Sequence, residues 1–388
     1  MAAARPLTIG LVAGESSGDN LGAGLIRALR ARSPGARFVG VAGPAMQAAG
    51  CESWAPSEEL AVIGLFEVLH HLPRLLRLRR RIRSAMLELR PDVFVGIDAP
   101  EFNLSLAPAL AARGIRTVQY VSPQVWAWRR GRARRMARFL DLVLCLLPFE
   151  RGVYDQAGLR AIFVGHPLAD QLPLVPDRAA ARGELGLAPD APVVAVLPGS
   201  RVGEVSRLAA DFAGAIAWLA ARRPGLYFVA ALANGRTRNI FEKSLALHAT
   251  GTSVHLVEGR AQAVLTAASV ALVASGTATL EALLCKRPMV VAYRLGELTA
   301  MALRGLGLLK TAHFAQPNVL AGRAVVPELA QADVTPERLG REIERWLDEP
   351  DAVAELQVLF TAIHRQLRRG ASEQAADAIL DLARGQAS

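Results

Sequence analysis

The chain has 388 residues, a formal net charge of +10 and a sequence pI of about 10.4. This length suits two domains rather than one, and each would be large enough to bury its own core. A content of 52% hydrophobic and 5% aromatic residues excludes disorder and predicts cores of Ala, Leu and Val. The arginine excess predicts attraction to phosphate-bearing partners such as nucleic acid, anionic lipid or nucleotide, although a biased genome would produce the same composition.

The cysteines and apolar segments bear on the cellular setting. Cys51, Cys145 and Cys285 lie far apart without the paired spacing of a disulfide framework or a zinc site, which predicts a reducing, cytoplasmic environment. The first apolar segment, Pro6 to Gly14, is too short for a signal peptide, and no apolar run approaches the ~18 residues of a spanning helix. We therefore expect neither export nor a transmembrane helix.

The first half alternates short apolar segments with helical patterns. Strands alternating with helices imply crossover connections and a mostly parallel sheet, so the predicted fold class is α/β with a doubly wound, Rossmann-like half. The predicted strands are Leu7–Val12, Phe38–Val41, Val93–Ile97, Thr117–Val121, Leu142–Leu146 and Ile162–Val164.

The loop after the first strand, Gly14 to Asp19, is typical of a backbone-lined binding turn. It matches neither the Walker pattern, since no Gly-Lys-Ser/Thr follows, nor Gly-x-Gly-x-x-Gly. A phosphate-loop NTPase or a dinucleotide oxidoreductase therefore loses support.

Residues 63–89 carry an apolar series interleaved with arginines, and Pro73 is predicted to divide this segment into two amphipathic pieces. Such a segment can lie in an anionic membrane interface, or it can cover the sheet with a solvated outer face. Arginines between 129 and 138 form a second basic cluster open to the same two interpretations. The candidate membrane contacts are Leu65, Phe66, Leu69, Leu72, Leu76, Arg77 and Arg80.

The third predicted strand ends directly at Asp98. A carboxylate at the carboxyl end of a strand is a candidate general base for a sugar hydroxyl. Glu101 is a rival, and either residue could instead cap the following helix. After the next strand, Ser122 and Trp126 lie in a run with two tryptophans, which either packs in the core or shapes the wall of a cleft.

A polar stretch from Pro167 to Pro176 is the best linker candidate, and a second doubly wound half restarts after it. Its predicted strands are Val193–Leu197, Phe228–Leu232, Val254–Val257, Val270–Ala274 and Val290–Ala292, and a helical tail begins beyond Pro336. The predicted domains are 1–168, 169–350 and a C-terminal helical segment, 351–388. Two such halves facing each other would place ligands in the cleft between them.

Two strand ends of the second half carry candidate phosphate ligands. Arg201, after Gly199 and Ser200, could stabilise a diphosphate leaving group. The turn Ser275-Gly276-Thr277 opens a helix whose free N–H groups could cradle a diphosphate, and Glu281 could accept hydrogen bonds from a ribose. The alternative for this segment is an ordinary capped helix.

Metal binding has little support in the sequence. The chain lacks the Asp-x-Asp of metal-dependent transferases and any Cys or His spacing suited to zinc. We therefore expect no cofactor, and donor phosphates held by backbone N–H groups and arginine.

Several motifs in one order resemble the lipid-A-disaccharide synthase family, from Gly14 to Arg323. They are Gly14-Glu15-Ser16-Ser17-Gly18-Asp19, Val95-Gly96-Ile97-Asp98, Tyr120-Val121-Ser122-Pro123, Trp126-Ala127-Trp128, Leu197-Pro198-Gly199-Ser200-Arg201, Ser275-Gly276-Thr277-Ala278-Thr279-Leu280-Glu281, Pro317-Asn318 and Leu320-Ala321-Gly322-Arg323.

The resemblance implies the glycosyltransferase-B architecture and transfer of 2,3-diacylglucosamine from UDP to the 6-hydroxyl of 2,3-diacylglucosamine 1-phosphate. The product would be a β-1,6-linked lipid A disaccharide, made with inversion at the cytoplasmic face of the inner membrane and without nucleic acid. Asp98 would be the base and Arg201 a diphosphate contact. The implied donor-binding residues are Gly199, Ser200, Arg201, Ser275, Gly276, Thr277, Glu281 and Asn318, and the implied acceptor-binding residues are Gly14, Glu15, Ser16, Ser17, Gly18, Asp98, Ser122 and Trp126.

The chain departs from the family pattern in two places. Family members usually have Ala where Ser16 stands, and Lys310 to Gln316 differs from the expected sequence before Pro317-Asn318. The competing hypotheses are a UDP-sugar 2-epimerase, another transferase of this architecture and a basic non-catalytic binding protein. The helical tail could pack on its own N-terminal half or on a partner chain, so a homodimer stays open.

Overall fold

The computed structural model describes residues 5–60, 65–123, 130–296 and 313–385, with the backbone alone at 65–72 and 130. The chain forms two compact units. The first unit is Met1–Asp170 together with Leu367–Ser388, and the second is Gln171–Gln366. The boundaries between the units fall after residues 170 and 366, and the sequence predicted them after residues 168 and 350. Residues 351–366 of the helical tail therefore belong to the second unit.

The first unit is built on a parallel sheet in the order β3-β2-β1-β4-β5-β6-β7. The strand order reverses between β1 and β4, which pair in register from Ile9 with Val93 to Ala13 with Ile97. The carboxyl ends of these two strands therefore lie side by side at a topological switch point, where ligands bind in such folds. The strands are β1 (Thr8–Ala13), β2 (Arg37–Ala42), β3 (Cys51–Pro56), β4 (Val93–Ile97), β5 (Arg116–Tyr120), β6 (Leu142–Cys145) and β7 (Ala161–Phe163).

Helices cover both faces of this sheet. One face packs against α1 and α16. Helix α16 follows the second unit in the chain but belongs to the first, where it buries Ala375, Ala376 and Ile379. The other face packs against α3 and α4. The helices of this unit are α1 (Glu15–Arg32), α2 (Pro44–Ala48), α3 (Leu65–Leu89), α4 (Pro100–Ala111), α5 (Arg130–Met136), α6 (Arg151–Asp155), α7 (Pro167–Gln171, which ends at the unit boundary) and α16 (Ala371–Ala383), with a short 3-10 helix at Ser57–Leu60.

Helix α3 is one continuous helix, so the predicted division at Pro73 is wrong. Pro73 is exposed. Its ring is tolerated because the following turns of the helix are stabilised by packing on the sheet. The later turns bury Leu78, Ile82 and Met86 in the core with Val12 and Phe94. These turns therefore cover the sheet with a solvated outer face, which was the structural alternative.

The candidate membrane contacts fall in two groups. Leu76 is half-buried, and Arg77 and Arg80 are exposed. The side chains of Leu65, Phe66, Leu69 and Leu72 lie outside the described residues, so their membrane contact stays a prediction. Within the described parts of the chain, no helix combines the length and the apolar character needed to cross a bilayer.

The second unit repeats the doubly wound plan with a parallel sheet in the order β10-β9-β8-β11-β12-β13. Here the order reverses between β8 and β11, which pair from Val270 with Val194 to Val273 with Leu197. The strands are β8 (Val193–Leu197), β9 (Tyr227–Leu232), β10 (Val254–Glu258), β11 (Val270–Ala274), β12 (Met289–Tyr293) and β13 (Glu328–Ala330). The predicted α/β class with two doubly wound sheets is confirmed.

Amphipathic helices enclose this second sheet. Helix α9 buries Val205, Leu208, Phe212 and Ile216 on one face, at the spacing that predicts a helix packed on a core. The helices are α8 (Arg178–Glu184), α9 (Val202–Arg222), α10 (Gly235–His248), α11 (Ala261–Ala267), α12 (Thr277–Leu284), α13 (Gln316–Ala321), α14 (Pro336–Asp348) and α15 (Pro350–Leu367), with a 3-10 helix at Gln331–Asp333.

Candidate active site

A cavity of about 540 Å³ opens at the switch point of the second unit. Its walls come from the segments that follow β8, β9, β10 and β11, so four neighbouring strands end around it. The residues predicted from sequence that line it are Gly199, Ser200, Arg201, Ser275, Gly276, Thr277 and Glu281. The structure therefore brings together all but one of the predicted donor-binding residues.

The floor of this cavity is the start of α12. Gly276 has φ +146° and ψ −156°, a conformation that is essentially restricted to glycine, and a Cβ there would meet no described atom within 4 Å. The glycine is thus required by backbone conformation, and space is left open above it. The N–H groups of Thr277 and Ala278 precede the bond that Thr279 donates to the Gly276 carbonyl at 3.0 Å, so they can offer donors to an anion.

Glu281 lies one turn further along α12 on the cavity side. The side chain is half-buried, and burial raises the pKa of its carboxyl above the ordinary value. A carboxylate partly removed from water gains from hydroxyl donors that replace the lost hydration. Its placement fits an acceptor for two ribose hydroxyls.

Gly199 and Arg201 form the opposite wall. Gly199 has φ +128°, and a Cβ there would lie 2.9 Å from the Cβ of Glu204. The Glu204 carboxylate accepts from the backbone N–H of Ser200 at 3.3 Å and of Arg201 at 3.4 Å, and it lies 3.6 Å from the Arg201 guanidinium. This network holds the turn that presents Arg201, whose side chain is about half exposed.

The structure adds lining residues that the sequence interpretation missed. Arg260 and Gln262 follow β10 and complete the wall of the cavity. Arg260 has a positive φ of 53° and pairs with Glu184. The signal was present, because Gly259-Arg260 follows a strand just as Gly199-Ser200-Arg201 does.

Asn318 is the predicted donor-binding residue that does not line the cavity. Its side chain is buried, accepts from the N–H groups of Val325 and Val326 at 2.7 and 2.9 Å, and donates to the carbonyl of Val326 and to Glu328. These bonds occupy its amide fully. The structure therefore places Asn318 as the anchor of the 322–328 loop.

The switch point of the first unit is tightly closed. A Cβ at Gly14 would lie 2.7 Å from the Cβ of Ala99, and one at Gly18 would lie 3.5 Å from the carbonyl of Ile97. The turn after β1 therefore packs directly on the turn after β4. Glu15 begins α1 with a positive φ of 56°, and the next two residues, Ser16 and Ser17, are exposed.

Asp98 is held by its backbone. Both Asp98 and Ala99 have positive φ values, 51° and 37°, an uncommon conformation for residues other than glycine. The Asp98 carbonyl accepts from Asn103 at 2.8 Å and from Gln119 at 3.1 Å, and its N–H donates to Tyr120 at 2.9 Å. Strained backbone that is fixed on several sides is typical of functional residues. Its side chain is half-buried beside the first turn of α1.

The rival base Glu101 already has an ion-pair partner. Its carboxylate is 84% exposed and forms an ion pair with Arg132 at 2.7 Å. Ser122 is buried and hydrogen-bonds to the Tyr154 hydroxyl at 2.8 Å, so its side chain serves the core of the first unit. Trp126 lies outside the described residues.

No cluster of side chains suited to a metal ion is found in the part of the chain that the structure describes. Within the described residues, no three His, Cys, Asp or Glu side chains come close enough to share a metal ion. The three cysteines are buried and unpaired with one another. The metal-free chemistry expected from the sequence stays a prediction.

Solved structures share the fold at low identity. The UDP-GlcNAc 2-epimerase from Neisseria meningitidis bound to UDP-GlcNAc matches with a TM-score of 0.65 and 12% identity, over 97% of this chain and 100% of that one. The glycosyltransferase of kitacinnamycin matches with a TM-score of 0.60 and 22% identity, over 97% and 99%. At these identities the likeness concerns the architecture alone.

Sequence relatives are far closer. The lipid-A-disaccharide synthase of Yersinia pseudotuberculosis serotype I (strain IP32953) is 51% identical over 381 residues, which cover 98% of this chain and 96% of that protein. The lipid-A-disaccharide synthase of Serratia proteamaculans (strain 568) is 50% identical over 380 residues, 98% and 99% of the two chains. A family model described as Lipid-A-disaccharide synthetase matches residues 9–381. The chain therefore belongs to the lipid-A-disaccharide synthetase family of glycosyltransferases.

Proposed function

We propose that the enzyme transfers 2,3-diacylglucosamine from its UDP carrier to the 6-hydroxyl of 2,3-diacylglucosamine 1-phosphate. The products are the β-1,6-linked disaccharide 1-phosphate and UDP. The observation that carries this proposal, beside the family, is the open cavity of the second unit, in which a glycine-only turn, a helix start and a half-buried carboxylate meet.

In this proposal the donor takes one orientation in the cavity. The diphosphate lies at Gly276 and the start of α12, where backbone N–H groups and the helix dipole favour negative charge. The ribose hydroxyls donate to Glu281, one turn into the helix. Arg201, on the opposite wall, meets the same diphosphate as a fixed cation.

The reaction needs one proton transfer and one displacement. The Asp98 carboxylate takes the proton of the acceptor 6-hydroxyl as its oxygen attacks the anomeric carbon of the donor. The bond from that carbon to the diphosphate breaks on the opposite face, so configuration inverts and UDP leaves. Arg201 and the α12 N–H groups stabilise the charge that grows on UDP.

We further propose that no metal takes part and that the enzyme works at a membrane surface. Two arginines, Arg201 and Arg260, line the donor cavity and can neutralise the diphosphate directly. The apolar and basic pattern of residues 65–80 supports contact with an anionic lipid interface.

The test is UDP release by the purified protein from UDP-2,3-diacylglucosamine, with and without acceptor, in detergent and in EDTA. We expect release that depends on acceptor, survives EDTA and produces a disaccharide. Donor left intact under these conditions contradicts the transfer, and loss of release in EDTA alone contradicts metal independence.

A UDP-sugar 2-epimerase is the second candidate, since a UDP-GlcNAc 2-epimerase has the same fold. An epimerase needs no acceptor and no acyl chains. Incubation with UDP-GlcNAc alone, followed by NMR of the sugar, separates the two: a C2 epimer supports this alternative, and unchanged UDP-GlcNAc opposes it.

A further inference from the structure

A second cavity, of about 660 Å³, lies in the first unit between α4 and α5. Helix α4 contributes Glu101, Leu104, Ser105 and Pro108, whose spacing places them along one face. The segment from α5 onward contributes the facing wall. The cavity is larger than the donor cavity, and the functions assigned above leave it unused.

The cavity begins at the first turn of the helix that follows the proposed base. Helix α4 starts at Pro100, two residues after Asp98. Glu101 and Pro108 are seven residues apart, so the cavity runs about 10 Å along α4 from its first turn. The end of the cavity at Glu101 is therefore only three residues from Asp98 along the chain.

The charged part of the lining is cationic. Arg132 and Arg135 both line the cavity, against the single carboxylate of Glu101, so the lining has a net positive charge. The Arg132 guanidinium, 21% exposed, is ion-paired with a Glu101 carboxylate that is 84% exposed. Exposed ion pairs contribute little stability, so a phosphate could replace Glu101 as the partner of Arg132. Arginine suits that exchange because its planar fork binds phosphate through two N–H groups.

Another part of the lining is apolar. Leu104 and Phe139 are half-buried and Pro108 is exposed, and all three line the cavity. Burying this surface under a hydrocarbon chain is favourable, since water is released from both. One cavity thus offers two cations and an apolar wall.

We infer that this cavity binds the acceptor, with its 1-phosphate on Arg132 and Arg135 and one acyl chain along Leu104, Pro108 and Phe139. The inference rests on the proposed function, which supplies the acceptor chemistry. Glu101, which forms an ion pair with Arg132, lies three residues after Asp98 in the first turn of α4. In this arrangement a single hexose ring spans from a 6-hydroxyl at the base to a phosphate at the arginines.

The test compares two acceptors, 2,3-diacylglucosamine 1-phosphate and 2,3-diacylglucosamine, at saturating donor in neutral detergent micelles. In Arg132→Ala/Arg135→Ala we expect the KM for the phosphorylated acceptor to rise about ten-fold or more. The KM values for the phosphate-free acceptor and for the donor should stay near those of the unaltered enzyme. Arg134→Ala/Arg138→Ala, at two exposed residues outside the cavity lining, is the control with a matched charge change.

Two results overturn the inference: the double variant keeps its KM for the phosphorylated acceptor, or both acceptors lose affinity equally. If the double variant unfolds, Arg135→Ala, at an exposed residue, and Arg132→Lys, which keeps the charge, replace it with the same two-acceptor comparison. Failure of the proposed function has a different signature, because the unaltered enzyme then releases no UDP with either acceptor.

The apolar wall has its own measurement. A longer acyl chain should lower the acceptor KM of the unaltered enzyme. Phe139→Ala should weaken this dependence on chain length and leave the donor KM unchanged. An unaltered dependence on chain length would show that the acyl chain does not lie in this cavity. The phosphate assignment would then depend on the arginine variants alone.

Discussion

The two switch points of the molecule share a topology but differ in what they leave open. In the first unit, the turns after β1 and β4 touch, and a Cβ at Gly14 would collide with Ala99. In the second unit, a Cβ at Gly276 would project into empty space among the described residues. One switch point is closed around a side chain, and the other is open to a ligand.

The difference follows from the chemistry proposed for each. A general base must be held in place, and Asp98 is fixed by a strained backbone with bonds from Asn103 and Gln119. A diphosphate needs exposed N–H groups, which the turn at Gly276 supplies without covering them. Four variants, in order of decreasing expected effect, test this division between positioning and binding.

Asp98→Asn should show the largest effect. The amide cannot accept the acceptor proton, so we expect kcat to fall on the order of 10³-fold with the donor KM nearly unchanged. The measurement is UDP release at saturating donor and acceptor. Glu101→Gln is the comparison, and a larger loss of kcat in that variant would assign the base to Glu101.

Gly276→Ala tests the open turn. Because φ is +146°, alanine is strained there, and we expect a loss of about 1–3 kcal/mol in the free energy of unfolding. The methyl group also enters the phosphate position, so UDP affinity, measured by calorimetry, should fall on the order of 10²-fold.

Gly225→Ala is the matched control, with φ +96°, open space around its Cβ and a position outside the cavity lining. It should lose stability without losing UDP affinity. Equal losses of UDP affinity in the two variants would assign the Gly276 effect to general destabilisation.

Asn103→Ala tests how the base is positioned. The variant removes the amide that donates to the carbonyls of Asp98 and Val12, so we expect kcat to fall about ten-fold and unfolding free energy by about 1–3 kcal/mol. The pH–rate profile should shift as well, which a purely structural defect would not cause. An unshifted profile with normal kcat would show that Asp98 needs no such support.

Asn318→Ala is the companion variant in the second unit. It removes another buried amide, and we expect a similar loss of stability, since Asn318 anchors the 322–328 loop. A selective rise in donor KM at unchanged stability would instead restore the donor contact expected from the sequence.

Glu281→Gln should have the smallest effect and an informative sign. Burial raises the pKa of this carboxyl, so the folded protein holds the proton more tightly than the unfolded chain. Stability therefore rises as pH falls between the unfolded and folded pKa values, and the ionised group lowers stability at neutral pH. The glutamine variant should be equally or more stable at neutral pH, by chemical denaturation.

The same variant should bind donor less well, with a donor KM about five-fold higher, because an amide is a weaker acceptor for ribose hydroxyls than a carboxylate. Lower stability together with an unchanged donor KM would show that Glu281 serves the fold instead.

The sequence predicted the central strands well and missed two of the four edge strands. Val93–Ile97 and Val270–Ala274 are buried along their whole length and give continuous apolar runs. Strand β3, Cys51–Pro56, buries only two of its six residues, and β13 has only three residues, so their sequences carry little periodic signal. Both were missed for this reason.

The sites show the same limit. Gly199, Arg201 and Gly276 were recognised because glycine and polar residues directly follow buried strands. Ser122 carried the same local signal, but its hydroxyl is taken by Tyr154, which comes 32 residues later in the chain. A local pattern predicts which end of a strand a residue follows. Only the packed structure shows which partner its side chain contacts.

Helix α16 has a consequence for the order of folding. It completes the core of the first unit, yet 196 residues of the second unit, Gln171–Gln366, separate it from the preceding part of that unit. At a synthesis rate of about 5–20 residues per second, synthesis of the second unit takes roughly 10–40 s. During this time the surfaces of α1 and of the first sheet that α16 covers stay exposed. The second unit is continuous in sequence and can fold as it emerges, so the unit made first is the one finished last.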